Sequence, residues 1–322
     1  MCMSERTDVS QSGKRLLSVV VPCYNEELCV EAFHAAVSAA MAPLAERVSV
    51  EFRFVDDGSH DGTLAKLREL RGRDGRVHYL SLSRNFGKEA ALLAGLESAR
   101  GDYVVVMDAD LQDPPSCLPS MFEALEAGEC DCVATRRSTR AGESRVRSAF
   151  ARLFYWLMRR LTRVNLMDGA RDFRMMNRPF LRSLLSLTEV NRFSKGLFGW
   201  VGYRVKWLSF ENVERCGGTT KWSFWGLSRY ALDGIVAFST VPLHLSFLAG
   251  TLACLLAAAL CVKTLIQTIF FNEPVQGYTT LLVSITFFSG VQFLLTGVLG
   301  LYLSKIYLEV KRRPVYLVRE EA

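Results

Sequence analysis

Short apolar runs alternate with amphipathic stretches through the first third of the chain. Leu16–Pro22 (LLSVVVP) and Val50–Val55 (VEFRFV) are β-branched runs ending in polar loops, and each is predicted as a strand. Between them, Glu27–Leu44 carries helical spacing. Thr63–Leu70 reads as a second helix, Val77–Leu82 as a third strand, Lys88–Ala99 (KEAALLAGLESA) as a strong helix former and Tyr103–Met107 as a fourth strand. This alternation predicts a parallel, doubly wound α/β sheet. Ligands of such sheets sit outside the carboxyl ends of the strands, so the polar loops there are the places to look for chemistry.

The pattern then changes twice. In Ser144–Val164 (SRVRSAFARLFYWLMRRLTRV), Val146, Phe150, Leu153, Phe154, Leu157 and Leu161 fall on one helical stripe, and the arginines fall elsewhere. An aromatic-rich apolar face flanked by arginines predicts a helix lying in a membrane interface. Trp222–Phe238 is a second candidate of this kind. Two long apolar segments follow, Val241–Phe271 and Thr280–Leu308, separated by a short polar loop. Each exceeds the ~20 residues that span a bilayer, so a transmembrane helical hairpin is predicted. Lys263 inside the first is expected to snorkel. Lys305, Lys311, Arg312 and Arg313 at one end, against Glu273 in the loop, put both ends of the hairpin on the cytoplasmic side.

Composition supports this organisation. Hydrophobic residues make up 50% of the 322 residues, and mean hydropathy is +0.15, which suggests membrane contact. The net charge of +6 is unevenly placed, with arginines crowded between Arg136 and Arg178. Such crowding points to an anionic partner, either lipid headgroups or a phosphate. None of the nine cysteines forms a C-x-x-C pair and the four histidines lie far apart, so zinc-ligand spacing is absent. The N-terminal MCMSERTDVSQSGKR lacks an apolar core. It reads as a disordered tail rather than a signal peptide, which leaves the enzyme-like part in the cytoplasm.

Four loops carry candidate chemistry. After the first strand comes Pro22-Cys-Tyr24-Asn25-Glu26-Glu27, and after the second Asp56-Asp57-Gly58-Ser59-His60-Asp61-Gly62-Thr63. In the latter, Asp61 or Thr63 is expected to cap the next helix, and Gly58 and Gly62 to supply open backbone angles. A cap does not account for Asp56 and Asp57 together. A carboxylate at this point of a doubly wound sheet commonly accepts hydrogen bonds from a nucleoside. Neither G-x-G-x-x-G nor G-x-x-x-x-G-K-[ST] is present, against a nicotinamide cofactor or a P-loop ATPase. Ser83-Arg84-Asn85-Phe86-Gly87-Lys88 opens a helix, where Lys88 suits a nucleotide phosphate. The fourth loop, VVVMDADLQDPP, ends a strand in three carboxylates and a glutamine. On an extended segment Asp108, Asp110 and Gln112 point to one side. Three oxygen donors on one face, completed by water and substrate phosphate, suit Mg²⁺ or Mn²⁺. Asp113 and the prolines read as shaping the exit from the strand.

Together, PCYNEE, VDDGSHDGT, SRNFGKEAALLAGL and DADLQDPP resemble, in order and spacing, the family-2 inverting glycosyltransferases of GT-A fold. The continuation, Asp172-Phe-Arg174-Met-Met, Arg192-x-x-x-Gly196-x-x-x-Trp200-x-Gly202-Tyr203, Arg215-x-x-Gly218-x-Thr220-Lys221-Trp222 and the hairpin, is similar to the polyprenyl-phosphate branch. That branch holds bactoprenol glucosyltransferases and, more distantly, dolichol-phosphate mannose synthases. Thr220 replaces a frequent Ser and Tyr203 a frequent Phe, without removing a needed chemical group. The resemblance implies a doubly wound mixed GT-A sheet with interfacial helices and a transmembrane hairpin.

It divides the chain into a tail (1–15), a cytoplasmic catalytic domain (16–215, with a nucleotide-sugar half 16–135 and an acceptor half 136–215), an interfacial helix (216–238), the hairpin (239–309) and a cytoplasmic tail (310–322). Pro22, Tyr24 and Glu26 would line the nucleotide pocket, Asp56, beside Asp57, would read base or ribose, and Lys88 would meet phosphate. Asp108 and Asp110, with Gln112 as a further ligand, would hold the metal. Asp172 and Arg174 would lie near the acceptor phosphate, Asp172 as base or positioning residue. Arg136, Arg192 and Lys221 are candidates for binding phosphate.

The implied reaction moves a sugar from a nucleotide diphosphate to polyprenyl phosphate for cell-envelope glycosylation, in a multi-pass protein of the cell membrane. UDP-glucose is the first expectation for the donor, UDP-N-acetylglucosamine the second and GDP-mannose the third. No nucleic acid partner is implied, and relatives suggest a homotetramer. A processive polysaccharide synthase would need a Q-x-x-R-W segment and further spans, and neither is found. An inactive nucleotide-sugar-binding membrane subunit could shed its metal-site carboxylates, yet Asp108 and Asp110 are both present.

Overall fold

The computed structural model describes residues 13–137, 160, 170–210, 236, 239–271 and 277–322. These fall into two compact units, one formed by Met1–Ser223 with Pro314–Ala322 and the other by Phe224–Arg313. The first is built on an eight-stranded sheet of order β7-β5-β6-β4-β1-β2-β3-β8. Its strands are β1 (Arg15–Cys23), β2 (Val48–Asp56), β3 (Val77–Leu82), β4 (Tyr103–Val106), β5 (Cys132–Arg137), β6 (Ala170–Asn177), β7 (Val205–Phe210) and β8 (Val318–Glu321). β1 pairs in parallel with β2 and β4, and β2 with β3. β6 runs antiparallel to β4 and β5, β7 parallel to β5, and β8 antiparallel to β3. The sheet is thus mixed, as the GT-A resemblance implies.

The central strand β1 is covered on both faces, so Leu17, Val19, Val20 and Val21 are all buried and its apolar run is continuous. On one face α1 (Val30–Met41) buries Val30, Phe33, Val37 and Met41, the spacing of one helical stripe. It shares a core with Phe52, Phe54 and, from α4 (Leu118–Glu126), Phe122. α2 (Thr63–Arg73) adds Leu67 and Leu70 to that face. The other face carries α3 (Lys88–Ser98), which is buried continuously from Ala90 to Leu96. A Cβ on Gly95 would stand 2.3 Å from Val20 Cγ1, so this glycine lets α3 lie close on β1. The alternation in VEFRFV turns Phe52 and Phe54 to the first core. It leaves Glu51 in a buried polar cluster that accepts from Ser18 Oγ (2.5 Å), Arg53 Nη2 (2.8 Å) and the Arg100 N–H (3.0 Å). α5 (Arg178–Leu185) and α6 (Ser194–Trp200) follow β6.

The last residues, expected as a tail, return to the sheet instead. β8 covers the outer edge of β3, with Tyr79 and Ala322 exchanging backbone hydrogen bonds at 3.0 and 3.1 Å. Arg68 and Tyr79 both donate to the Glu320 carboxylate. An otherwise open strand edge gains a partner.

The second unit contains α7 (Val241–Phe271) and α8 (Tyr278–Lys311), of 31 and 34 residues. The windows Val241–Lys263 and Val283–Lys311 have mean hydropathies of 2.3 and 1.6, and none of either is buried inside the chain. Both helices are long and apolar enough to cross a membrane. The two stretches read as interfacial helices lie outside the described residues but for Arg160 and Val236.

Candidate active site at the carboxyl ends of the strands

The loops after β1 and β2 are sewn together. Asn25, in the left-handed region at φ 55°, donates its N–H to Ser59 Oγ (3.0 Å) and accepts the His60 N–H on Oδ1 (2.9 Å). The Glu26 N–H reaches Thr63 Oγ1 at 2.9 Å, and Asp61 Oδ1 caps α2 through the Thr63 N–H at 3.0 Å. Gly58 has the open angle expected of it, φ 65°. Gly62 does not, at φ −74°; it is small because a Cβ there would meet the Glu27 carboxylate, 2.4 Å away. The Tyr24 ring stands edge-on to His60, with centroids 6.4 Å apart. Pro22, Tyr24 and Glu26 are all half-buried beside this junction.

Asp56 and Asp57 have a structural role beside the one expected of them. They are 1% and 3% exposed, and their oxygens already have partners. Asp56 accepts from the Ser59 N–H (3.0 Å) and Ser81 Oγ (2.9 Å). Asp57 accepts from the N–H groups of Phe86 (2.7 Å) and Gly87 (2.9 Å). Buried carboxylates need such donors, so this pair holds the loops together. Asp57 in particular anchors the turn at Gly87 (φ 97°) from which α3 and Lys88 begin. Burial raises its pKa above the ordinary carboxylate value, and the two N–H bonds work against that rise.

Lys88 is also redirected. Its Nζ lies 2.7 Å from Asp108 Oδ1 and 2.8 Å from Asp172 Oδ2, bridging the end of β4 to β6. The side chain remains 43% exposed. Crowding by protein disfavours its charge, but Asp108 and Asp172 more than offset this and hold the ammonium above its usual range. For Asp172 burial acts upward, yet Lys88 and then Lys195 keep the carboxyl well below the ordinary value.

The acidic turn is not extended. β4 ends at Val106, and Leu111 takes a left-handed φ of 58°, so strand alternation does not align Asp108, Asp110 and Gln112. Instead Asp110 Oδ1 accepts the Gln112 N–H at 3.2 Å, and Arg171 reaches across from β6. Arg171 Nε lies 2.9 Å from Asp113 Oδ1, and its Nη2 donates to Gln112 Oε1 at 3.4 Å. Asp113 is fully buried, and its Oδ2 has no partner. Burial pushes its carboxyl up to about 6 with Arg171 opposing. Neither Arg171 nor this role for Asp113 was read from the sequence, although RDFR and the third carboxylate of DADLQD carried the signal.

Arg174 turns inward. It is 4% exposed, its guanidinium sits 3.7 Å from the centroid of Phe198, and its Nε is unsatisfied. Buried so, it braces the loop by donating to the Arg171 carbonyl at 3.0 Å. Arg192 is buried too and donates to the Leu187 carbonyl at 2.5 Å. Arg136, on β5, is exposed and donates to Ser209 at 2.9 Å. Lys221 lies outside the described residues.

The oxygen donors of Asp108, Asp110 and Gln112 fit a hard divalent cation, and an ammonium already rests against Asp108. Among the described residues no three His, Cys, Asp or Glu side chains are grouped to hold an ion alone. Further ligands would have to come from outside the protein, as substrate phosphates do.

A mixed sheet of GT-A type, with an acidic turn, a bridging lysine and a second carboxylate gathered at its strand ends, defines a glycosyltransferase. The chain belongs to glycosyl transferase family 2, whose sequence pattern matches residues 18–185. It is 41% identical over 304 residues to an uncharacterized glycosyltransferase of Synechocystis sp., spanning 94% of this chain and 95% of that protein. The SfII prophage-derived bactoprenol glucosyl transferase of Shigella flexneri is 38% identical over 304 residues, spanning 94% of this chain and 97% of that one. The prophage bactoprenol glucosyl transferase homolog of Escherichia coli K12 is 37% identical over 303 residues, spanning 94% and 98%. The resemblance first read in the four loops is borne out.

Proposed function

We infer that this enzyme transfers a sugar from a nucleotide diphosphate, UDP-glucose first among candidates, to polyprenyl phosphate at a membrane surface, inverting the anomeric carbon. The observation that carries this reading is the Lys88 bridge, which joins a carboxylate of the acidic turn to one on β6. Similarity to bactoprenol glucosyl transferases along nearly the whole chain supports the acceptor. An acceptor phosphate oxygen bonds to the anomeric carbon while the bond from that carbon to the donor's diphosphate oxygen breaks. The bonding pair leaves on the nucleoside diphosphate. Asp108, Asp110 and Gln112 would hold a divalent ion, Mg²⁺ or Mn²⁺, whose charge neutralises the departing diphosphate.

The acceptor needs no strong base, because a phosphate monoester with a second pKa near ~6 is mostly a dianion at neutral pH. Asp172 therefore acts as a charged positioning group. Lys88 and Lys195 keep it ionised despite burial, which ill suits a residue required to take up a proton. α7 and α8 hold the enzyme where its lipid acceptor resides, with both helix ends and the catalytic unit on the cytoplasmic side.

The test uses membranes containing the protein, undecaprenyl phosphate, Mg²⁺ and a panel of labelled UDP-glucose, UDP-N-acetylglucosamine and GDP-mannose. Label from UDP-glucose is expected in the extracted lipid. No lipid label from any donor overturns the reading.

A further inference from the structure

Asp172 shares the charge of Lys88 with Asp108, and a second lysine lies within reach of its field. Lys88 pairs with it directly at 2.8 Å, and Lys195 is the next strongest influence holding it charged. Lys195 is placed by its neighbour. Glu89, the second residue of α3, accepts the Ser194 N–H at 3.0 Å and also the Ser194 hydroxyl, across 105 residues of sequence. Two adjacent residues of α3 thus hold two points of the site. Lys88 grips Asp172, and Glu89 grips the residue before Lys195.

The neighbouring cations are engaged elsewhere. Arg171 pairs with Asp113 at 2.9 Å, Arg174 lies buried against Phe198, and Arg192 donates to the Leu187 carbonyl. Lys195 is half-exposed. Among the described residues it makes no hydrogen bond or ion pair. A half-exposed ammonium with no partner among the described residues, following a residue that Glu89 holds, is suited to an incoming anion. Topology selects which one. The nucleotide-side strands β1–β3 lie on one side of β4, and β6, which carries Asp172, lies on the other.

We propose that Lys195 receives the phosphate of the acceptor, a monoester dianion, with Glu89 and Ser194 as the device that positions it. This rests on the reading that the acceptor is a polyprenyl phosphate.

The test is direct binding to full-length protein in detergent, using geranyl phosphate, inorganic phosphate and UDP with Mg²⁺ as separate probes. The unmodified protein is expected to bind geranyl phosphate more tightly than inorganic phosphate. Lys195→Met should weaken geranyl phosphate by about tenfold or more, the scale of a lost charge-assisted bond, and leave UDP binding and the melting temperature unchanged. Lys195→Arg should restore most of the binding. In turnover, Lys195→Met should raise KM for undecaprenyl phosphate and not for the donor. An equal loss of UDP affinity, unchanged geranyl phosphate binding, inorganic phosphate binding as tightly as the prenyl ester, or no binding by the unmodified protein would each overturn the proposal. Geranyl phosphate held through Lys195 without lipid labelling would instead count against the transfer reading alone.

Discussion

At the end of β2, Asp56 and Asp57 turn their oxygens inward onto Ser59, Ser81, Phe86 and Gly87. At the end of β4, Asp108 turns its oxygens onto the half-exposed ammonium of Lys88. Both sites sit at the carboxyl ends of parallel strands in one mixed sheet, and both read as acidic loops. What separates them is the kind of donor that answers each carboxylate. A buried backbone N–H cannot leave, so the carboxylate it binds becomes scaffold. A flexible ammonium at the cleft can yield its place, so the carboxylate it binds stays open to a ligand.

The sharpest way to break this contrast is at the acidic turn. Asp110→Asn should reduce lipid labelling by about a thousandfold or more, since charge stabilisation of the leaving group is lost, while the urea midpoint stays where it was. Unchanged turnover would end the metal assignment. The inward pair predicts the converse. Asp57→Ala leaves the Phe86 and Gly87 N–H groups without acceptors and should lower unfolding free energy by about 3 kcal/mol, read by urea denaturation. Full stability in that variant would remove Asp57 from the scaffold.

Glu51 extends the scaffold class. Burial acts to raise its pKa, but bonds from Arg53, Ser18 and Arg100 bring it below the ordinary 4.5. Its ionised form therefore stabilises the fold above that pH, and the contribution is lost as pH falls through the lower folded value. Glu51→Gln should flatten the acid limb of stability against pH; an unaltered limb would refute the role. The smallest effect belongs to Arg68→Ala, which breaks a pair with Glu320 on the protein surface and should leave the urea midpoint unmoved.

Much of the first half of the sheet was legible, because β1–β4 and α1–α3 are local patterns. Their apolar runs and helical stripes announce themselves within a few residues. β5 (CVATRR) and β8 (VREE) were not, since each reads as a charged stretch and becomes a strand only beside a distant partner. The same distinction holds in the site. Asp108 and Asp110 were singled out from their spacing. Lys195, Arg171 and the buried role of Asp113 were missed, since Glu89 meets Ser194 and Arg171 meets Asp113 only through the tertiary fold. The loop bonds of Asp56 and Asp57 were not foreseen for a related reason: spacing locates a carboxylate but not the destination of its lone pairs. Gly62 likewise looked like a turn glycine and proved to be room for Glu27.

The pairing of β8 with β3 also has a consequence during synthesis. Tyr79 and Glu320 are 241 residues apart, and α7 and α8 are made between them. At about 5–20 residues per second, the outer edge of β3 waits roughly ten to fifty seconds after leaving the ribosome before its last partner exists. Both long apolar helices are translated in that interval. The sheet is therefore completed only after both long helices have been made, and a chain cut short after α8 would carry an intact acidic turn on a sheet with one bare edge.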